Sequence, residues 1–210
     1  MKFLNSDRAL ILAPHPDDAE YSTAGTVLKY TGTHFDILCL TAGGDCDTTT
    51  LETDRLKEVT NAWSKATSSN FTLHFTDFTY LKGKGIDEWV SYTENKFNID
   101  SYNYIITPSE QDSHFEHGIV SSLGAPLVRS NSCGIIQYKS PSTLDTWTPN
   151  LFVSIKEEFE TKMEMLRQFE SQLHRPYFHQ DVLNGFHTHF QCMKKGKGYV
   201  ELYKIITAYE

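Results

Sequence analysis

The 210-residue sequence lacks the signals that mark several large classes of protein. Its four cysteines show no C-x-x-C spacing, which favours a reduced compartment without disulfides. No Lys/Arg stripe is present and the net charge is −8, which argues against nucleic acid or an anionic membrane as partner. No apolar run reaches the length of a membrane span, and no signal-peptide core precedes residue 20. We therefore expect a cytoplasmic protein with no membrane span.

Two nucleotide-binding motifs are also missing. The sequence has no G-x-G-x-x-G after its first predicted strand and no G-x-x-x-x-G-K-[ST] phosphate loop. The position after the first strand carries His-Pro-Asp-Asp instead, at residues 15–18. Carboxylates at this position would repel a pyrophosphate, so the sequence argues against a nucleotide cofactor.

What is present is a regular alternation of predicted strands and helices. Apolar runs predict strands at residues 8–14, 35–41, 71–75, 102–108, 134–138 and 198–206. Helical periodicity and loop signals predict helices at residues 20–30, 53–66, 87–97, 118–128 and 155–173. This order predicts an α/β fold, a Rossmann-like three-layer sandwich with a mostly parallel sheet. No linker divides the chain, so we expect one domain over residues 1–210.

Four ionisable side chains follow the first predicted strand, in the segment Ala-Pro-His-Pro-Asp-Asp-Ala-Glu at residues 13–20. They are His15, Asp17, Asp18 and Glu20. Open α/β sheets bind ligands at the carboxyl ends of their strands. A divalent metal is the simplest reason for so many ionisable groups to share such a place.

A second group of candidate ligands follows the fourth predicted strand, where His114 and His117 occur. This loop occupies an equivalent place at the same edge of the sheet. Together the two loops offer His15, Asp18 and one or two of the later histidines. Two nitrogens and one carboxylate oxygen suit Zn²⁺ with an open position for water, and Fe²⁺ or Mn²⁺ would accept the same ligands.

The pair of motifs resembles the PIG-L/LmbE-type metal-dependent N-deacetylases. Arg55 and Glu58 match the R-x-x-E of that family's second helix, and Asp77 matches a frequent Asp after the third strand. The segment Gly-Tyr-Val-Glu at residues 198–201 resembles the family's closing G-x-Y-x-E. The resemblance covers nearly the whole chain, and it implies one deacetylase domain.

The resemblance implies a role for each residue of the two motifs. His15, Asp18 and His117 would bind zinc, Asp17 would act as general base, and His114 would be a second proton-transfer group. The chemistry is consistent with these roles, because zinc lowers the pKa of a bound water to about 7 and polarises a carbonyl. A nearby carboxylate must take the proton of that water, and the departing amine must receive one from Asp17 or His114.

Substrate contacts are expected from Arg55 and Asp45. Arg55 would bind a substrate hydroxyl or phosphate, or pair with Asp17; the alternative is a surface ion pair with Glu58. Asp45 would contact sugar hydroxyls, with an ordinary turn residue as the alternative. Glu20 is either a group that orients a ligand histidine or a carboxylate favoured at a helix start.

Other polar residues have weaker signals. We expect Glu116 on the solvent side, and Ser171 and Gln172 as packing residues more than substrate contacts. His187 and His189 alternate with phenylalanines as in a strand, and we expect both to be exposed while the phenylalanines are buried.

The predicted function is zinc-dependent hydrolysis of an N-acyl group, with acetyl favoured, from a small carbohydrate-derived substrate. One alternative keeps the metal and acts on a non-sugar N-acyl or N-formyl amine; another is a non-catalytic ligand-binding module on the same fold. The exact substrate and the oligomeric state, including a homo-oligomer, stay open. Five aromatic residues in the loops suit stacking against a sugar ring: Tyr80, Tyr138, Trp147, Tyr177 and Phe178.

Overall fold

The computed structural model describes residues 8–43, 52–193, 196 and 198–209. Seven strands lie within these residues: β1 (Arg8–Ala13), β2 (His34–Cys39), β3 (Phe71–Phe75), β4 (Tyr104–Pro108), β5 (Gly134–Tyr138), β6 (Leu151–Ser154) and β7 (Val200–Thr207). They form one sheet in the order β3-β2-β1-β4-β5-β7-β6. The first five strands are mutually parallel, and β7 pairs antiparallel with both β5 and β6.

Helices connect the parallel strands, as right-handed crossovers require. Those in the described residues are α1 (Asp18–Lys29), α2 (Glu52–Trp63), α3 (Ile86–Lys96), α4 (Phe115–Ser121), α5 (Gly124–Leu127), α6 (Phe159–Leu166), α7 (Gln180–Phe186) and α8 (Phe190–Met193). Short 3₁₀ turns occur at Ile99–Ser101, Glu170–Gln172 and Pro176–Phe178. The α/β class and the mostly parallel sheet are confirmed.

Two hydrophobic cores, one on each face of the sheet, make the three layers. Along β1, Ile11 belongs to the core that α1, α2 and α6 cover, which we call the first core. The adjacent Leu10 and Leu12 belong to the second core, which α3, α4 and α5 cover. The alternation follows from the two-residue period of a strand, and it explains why β1 is apolar at almost every position.

A buried ion pair and its hydrogen bonds connect α6, β7 and α1. Lys162 of α6 is fully buried and its ammonium contacts the carboxylate of Glu201 on β7 at 2.5 Å. The same carboxylate accepts hydrogen bonds from the backbone N–H groups of Gly25 and Thr26, at 2.8 and 2.7 Å. Hydrogen bonds to a charged group are worth about 1.5–3 kcal/mol each, so this carboxylate fixes α1 against the sheet.

Two predicted helices differ from the structure, and an edge strand is present that was not predicted. The helix predicted at 118–128 is split into α4 and α5, because Pro126 has no N–H to continue the hydrogen-bond ladder. The helix predicted at 155–173 is shorter, since α6 ends at Leu166 and a 3₁₀ turn follows. The edge strand β6 was not predicted, because its partner β7 lies about fifty residues later in the sequence.

The topology brings the carboxyl ends of β1 and β4 to the same edge of the sheet, because these strands are parallel neighbours. The loops that follow them begin at Pro14 and Ser109. In the described part of the chain, no helix has the length and apolar character needed to cross a membrane.

Candidate active site

A pocket of about 450 Å³ opens at this edge of the sheet. Its volume lies in the range that holds a drug-sized ligand. The pocket contains both predicted motifs together with residues from five other segments of the chain. Its lining is His15, Asp17, Asp18, Tyr21, Gly43, Arg55, Tyr80, Lys82, His114, Phe115, Glu116, His117, Pro141, Ser142, Gln172, Arg175 and Tyr177.

The turn from β1 into α1 is strained at Asp17. Its φ is +121°, and it is the one non-glycine residue with a positive φ among those the structure describes. Such a conformation costs about 1–3 kcal/mol and persists only where its surroundings hold it. Strain of this kind is concentrated at functional sites, which makes a functional role for the Asp17 carboxylate a natural hypothesis.

The predicted ligands His15, Asp18 and His117 lie together. Nδ1 of His15 is 3.1 Å from Oδ2 of Asp18, and Nε2 of His117 is 3.3 Å from Oδ1 of Asp18. Two ligand atoms bound tetrahedrally to one zinc at about 2.0–2.1 Å are separated by roughly 3.3 Å. Each histidine nitrogen is therefore spaced from an oxygen of Asp18 as two ligands of one metal ion would be.

His114 lies close enough to form an overlapping set of three ligands. Nitrogen atoms of His15, His114 and His117 lie within 4.8 Å of one another. His114 is exposed, whereas Asp18 is buried and contacts both of the other histidines. Burial opposes ionisation of Asp18, yet His117 and His15 hold its pKa well below the ordinary value. The described residues thus offer two overlapping sets of ligands, one completed by Asp18 and the other by His114.

Each of the two shared histidines has a second carboxylate on its other nitrogen. Nδ1 of His117 lies 3.1 Å from Asp112, and Nε2 of His15 lies 2.7 Å from Glu116. Ligand histidines are commonly oriented in this way by a group behind them. The expectation that Glu116 faces solvent is wrong, because its other oxygen accepts the backbone N–H of Leu81 at 2.6 Å. Asp112 was missed, although it stands only five residues before His117.

The carboxylates around His15 and His117 favour positive charge at these two side chains. Burial disfavours the cation at His15 and at His117, but the surrounding carboxylates outweigh it and raise their pKa values to about 9 and about 10. For His15 those carboxylates are Asp18 and Glu116, and for His117 they are Asp18 and Asp112. Either protons or a metal ion would supply the charge, and the convergence of the nitrogens favours the metal.

Arg55 holds the strained turn. It is only 5% exposed, and it donates to the carbonyl oxygens of Pro16 at 2.7 Å and Gly43 at 3.0 Å. Its guanidinium also lies 3.4 Å from Oδ2 of Asp17. The alternative of a surface pair with Glu58 is wrong, because Glu58 instead binds the backbone and hydroxyl of Ser171.

Asp17 is a buried carboxylate of unusual basicity. Burial raises its pKa to about 7, although the charge of Arg55 opposes the change. A general base works best when its pKa is near the working pH. The pKa of His114 changes in the opposite direction, since partial desolvation and the two neighbouring histidines lower it.

The remaining candidates have different outcomes. Asp45 lies outside the described residues. Glu20 is buried and accepts the indole N–H of Trp63, so it does not orient a ligand histidine. Gln172 lines the pocket, whereas Ser171 packs against α2.

The expectation that His187 and His189 are exposed is wrong for His187, and His189 is half-buried. His187 is fully buried, with Nδ1 2.8 Å from the oxygen of Leu183 and Nε2 3.3 Å from that of Tyr21. The segment ends helix α7 instead of forming a strand, so the alternation is lost and Phe190 is 70% exposed.

Of the five aromatic loop residues, Tyr80 and Tyr177 line the pocket. Tyr138 and Phe178 are buried in the first core, and Trp147 is buried in a small separate cluster with Val200 and Leu202.

Comparison with known proteins gives both a family and a set of similar folds. A family model described as PIG-L, GlcNAc-PI de-N-acetylase, matches residues 10–128. None of the curated proteins matches the sequence.

Three similar solved structures cover 97% of this chain. N,N'-diacetylchitobiose deacetylase from Pyrococcus horikoshii is 21% identical with a TM-score of 0.77, and 85% of that chain is covered. Teicoplanin deacetylase Orf2 in a zinc-inhibited form is 12% identical with a TM-score of 0.73 and 99% coverage. The 4-carboxy-2-hydroxymuconate hydratase GalB from Pseudomonas putida KT2440 is 14% identical with a TM-score of 0.78 and 98% coverage. At these identities the likeness establishes the fold alone.

Proposed function

The chain belongs to the PIG-L family of GlcNAc-PI de-N-acetylases, and we propose that it removes an N-acetyl group from an amino sugar or sugar conjugate with the help of zinc. Family membership identifies it as a hydrolytic N-deacetylase. One observation carries the finer proposal. The buried carboxylate of Asp17, with its pKa near 7, stands beside the convergent donors of His15, Asp18 and His117.

The donor set fits a divalent ion. The donors would be His15, Asp18 and His117, and the carboxylates of Glu116 and Asp112 would fix the two imidazole rings. When bound, such an ion lowers the pKa of a water ligand and polarises the amide carbonyl. Zinc suits two nitrogens and one oxygen, and Fe²⁺ or Mn²⁺ is accepted by the same donors.

Asp17 is the proton acceptor in this proposal. A carboxyl group with a pKa of about 7 is present in both protonation states near neutral pH, so it both takes a proton and returns it. Arg55 contacts Oδ2 of Asp17 and the carbonyl oxygen before it, which fixes the direction of the carboxylate. Such positioning is a large part of general-base catalysis.

His114 is the second proton-transfer group. Its ring centroid lies 4.7 Å from those of both His15 and His117. Partial desolvation and these two neighbours lower the pKa of His114, so its protonated form is a stronger acid than an ordinary imidazolium. It would give a proton readily to the departing amine, which Asp17 would otherwise do alone.

A sugar substrate is supported by the composition of the pocket. Tyr80, Tyr177 and Tyr21 line it from separate segments, and aromatic rings suit stacking against the apolar face of a sugar. Two of the similar structures are named as deacetylases, of N,N'-diacetylchitobiose and of teicoplanin. The cytoplasmic location, the single domain and the oligomeric state stay predictions.

The test is a screen of the purified protein against N-acetylated sugars, sugar conjugates and small N-acyl amines, with detection of free amine. The Asp17→Asn variant should retain zinc by elemental analysis and lose about 10²–10⁴-fold in turnover, the usual contribution of a general base. Full activity of that variant would remove Asp17 from this role.

Two other outcomes of the screen have defined meanings. Release of amine only from non-sugar or N-formyl compounds would transfer the activity to the alternative substrate class. Zinc-saturated protein that hydrolyses nothing in the panel would favour a ligand-binding module.

A further inference from the structure

A fully buried serine hydroxyl lies behind the candidate metal site, outside the motifs that identify the family. Ser140 follows β5 and has no exposed surface. Its hydroxyl oxygen lies 2.5 Å from Oδ2 of Asp112, the carboxylate that faces Nδ1 of His117. A buried hydroxyl needs a hydrogen-bond partner, and here the partner is a group that contacts a predicted metal ligand. Ser140 is therefore a candidate for a role in the site.

The hydrogen bonds around Ser140 fix the direction in which its hydroxyl points. Its oxygen accepts the backbone N–H of Ser142 at 3.2 Å, and its own backbone N–H donates to the hydroxyl oxygen of Thr143 at 2.8 Å. Although burial raises the pKa of Asp112, hydrogen bonds from His117 and Ser140 lower it to about 2. The ionised carboxylate can only accept, so the hydroxyl of Ser140 is the donor.

The loop that carries Ser140 is joined to the loop that carries Asp112. An isolated antiparallel bridge pairs Asp112 with Thr143. Beside it, the backbone N–H of Leu144 donates to the oxygen of Gln111 at 2.8 Å. This backbone pairing holds the two loops in register, so the serine hydroxyl meets the carboxylate at a fixed position.

The two oxygens of Asp112 contact both histidines of the second motif. Oδ1 accepts the backbone N–H of His114 at 2.8 Å, and Oδ2 lies 3.1 Å from Nδ1 of His117. Because the carboxylate can only accept, the nitrogen of His117 that faces it must carry a hydrogen. The lone pair of the neutral ring is then on Nε2, which lies 3.3 Å from Oδ1 of Asp18. The orientation of Asp112 therefore sets which nitrogen of His117 can bind a metal.

We propose that Ser140 is a positioning residue of the metal site: by donating to Asp112, it fixes the carboxylate that holds His117 with Nε2 directed at the metal. The inference rests on the proposed function for the presence of that metal. Ser140 is not part of the pocket lining, so it acts without touching the substrate. Groups behind a ligand histidine change metal affinity by about 10–100-fold, so the role of the hydroxyl is measurable as an affinity for zinc.

The experiment measures the dissociation constant of zinc by competition with a chromophoric chelator, in the absence of any substrate. Ser140→Ala should bind zinc about tenfold more weakly than wild type, the lower end of the range for groups behind a ligand. A dissociation constant within about twofold of wild type would overturn the proposal.

A double-mutant cycle tests whether Ser140 acts through Asp112. Asp112→Ala alone should weaken zinc binding by about 10–100-fold. Adding Ser140→Ala should change this affinity by no more than about twofold, since the hydroxyl has then lost the group that it positions. A further loss of about tenfold in the double variant would show that Ser140 does not act through Asp112, and would overturn the proposal.

The matched control is Thr146→Val, in the same loop. The hydroxyl of Thr146 donates to the side chain of Gln111 at 3.0 Å, so it joins the same two loops without contacting Asp112. This control should leave the affinity for zinc unchanged. If it weakened zinc binding as much as Ser140→Ala, the effect would come from loosened loops and the proposal would fail. If Ser140→Ala does not fold, Ser140→Cys should give the same loss, because a thiol is only a weak donor.

Failure of the deacetylase proposal has a separate signature. Zinc binding that depends on Ser140, in a protein that hydrolyses no N-acyl compound, would support the positioning role without the reaction. If wild type binds no zinc, the Nδ1–H signal of His117 in the NMR spectrum of the metal-free protein still tests the contact. That hydrogen should exchange with water slowly in wild type and faster in Ser140→Ala, and equal exchange in the two proteins would overturn the positioning role.

Discussion

Because the turn at Asp17 is strained, we expect glycine to be more stable than alanine at this position, which reverses the usual order. At an ordinary position, glycine is less stable than alanine by roughly 0.5–1 kcal/mol, because it loses more backbone entropy on folding. Asp17 has φ +121°, where a residue with a Cβ is strained by about 1–3 kcal/mol and glycine is not. Asp17→Gly should therefore be more stable than Asp17→Ala, by a net of about 1 kcal/mol.

Both variants lose the same carboxylate, so the loss of the Arg55 contact and the relief of buried charge cancel between them. For a chain of this length, about 1 kcal/mol corresponds to a difference of about 2–4 °C in Tm. Urea unfolding of the two metal-free proteins measures the difference directly, and both variants should be inactive in the free-amine assay.

Gly32 provides the matched control. It follows α1, its φ is outside the left-handed region, and a Cβ there would meet nothing within 4 Å. Gly32→Ala should leave stability unchanged or raise it by about 0.4–1 kcal/mol. If alanine were as stable as glycine at residue 17 while Gly32→Ala behaved normally, the turn would carry no strain and the reasoning would fail.

Three other predictions follow from the same contacts. His117→Ala should lose bound zinc by elemental analysis while His114→Ala retains it; zinc loss in both would make His114 a ligand. Arg55→Met should move the acidic limb of the kcat/KM profile to higher pH, because Arg55 lowers the pKa of Asp17 and so favours its basic form. An unchanged limb would show that Arg55 does not control the ionisation of the base. Lys162→Met should lower the free energy of unfolding by about 3–5 kcal/mol, since it leaves the buried carboxylate on β7 without its cation; urea unfolding of the metal-free protein measures this, and a loss below 1 kcal/mol would contradict it.

The sequence was sufficient to predict the features that short-range spacing determines. The alternation in β1 predicted a strand buried on both faces, and His15 and Asp18 are three residues apart in one turn, so local geometry alone brings them together. His117 could be added because parallel neighbouring strands end at one edge of a sheet, which is a rule of the fold class.

Long-range contacts explain what the sequence could not predict. Glu116 looked like a solvent-side residue because its partners, His15 and the backbone of Leu81, are 101 and 35 residues away. His187 has a strand-like pattern around it, yet it lies against Tyr21, 166 residues earlier. No local sequence pattern can predict contacts between residues so far apart in the chain, since these contacts form only when distant segments pack on one sheet.

The same distant contacts account for how two adjacent carboxylates acquire different chemistry. Asp18 enters the first turn of α1 and contacts two histidines, whereas Asp17 remains in the strained turn beside Arg55. The strain of about 1–3 kcal/mol at that turn is offset by hydrogen bonds to charged groups, each worth about 1.5–3 kcal/mol. Arg55 donates such a bond to the carbonyl oxygen of Pro16 in the turn, and Glu201 accepts two from backbone N–H groups farther along α1. Arg55 and Glu201, which do not take part in proton transfer, therefore hold the proposed base Asp17 in place. A substitution that relaxes the turn should gain stability and lose activity.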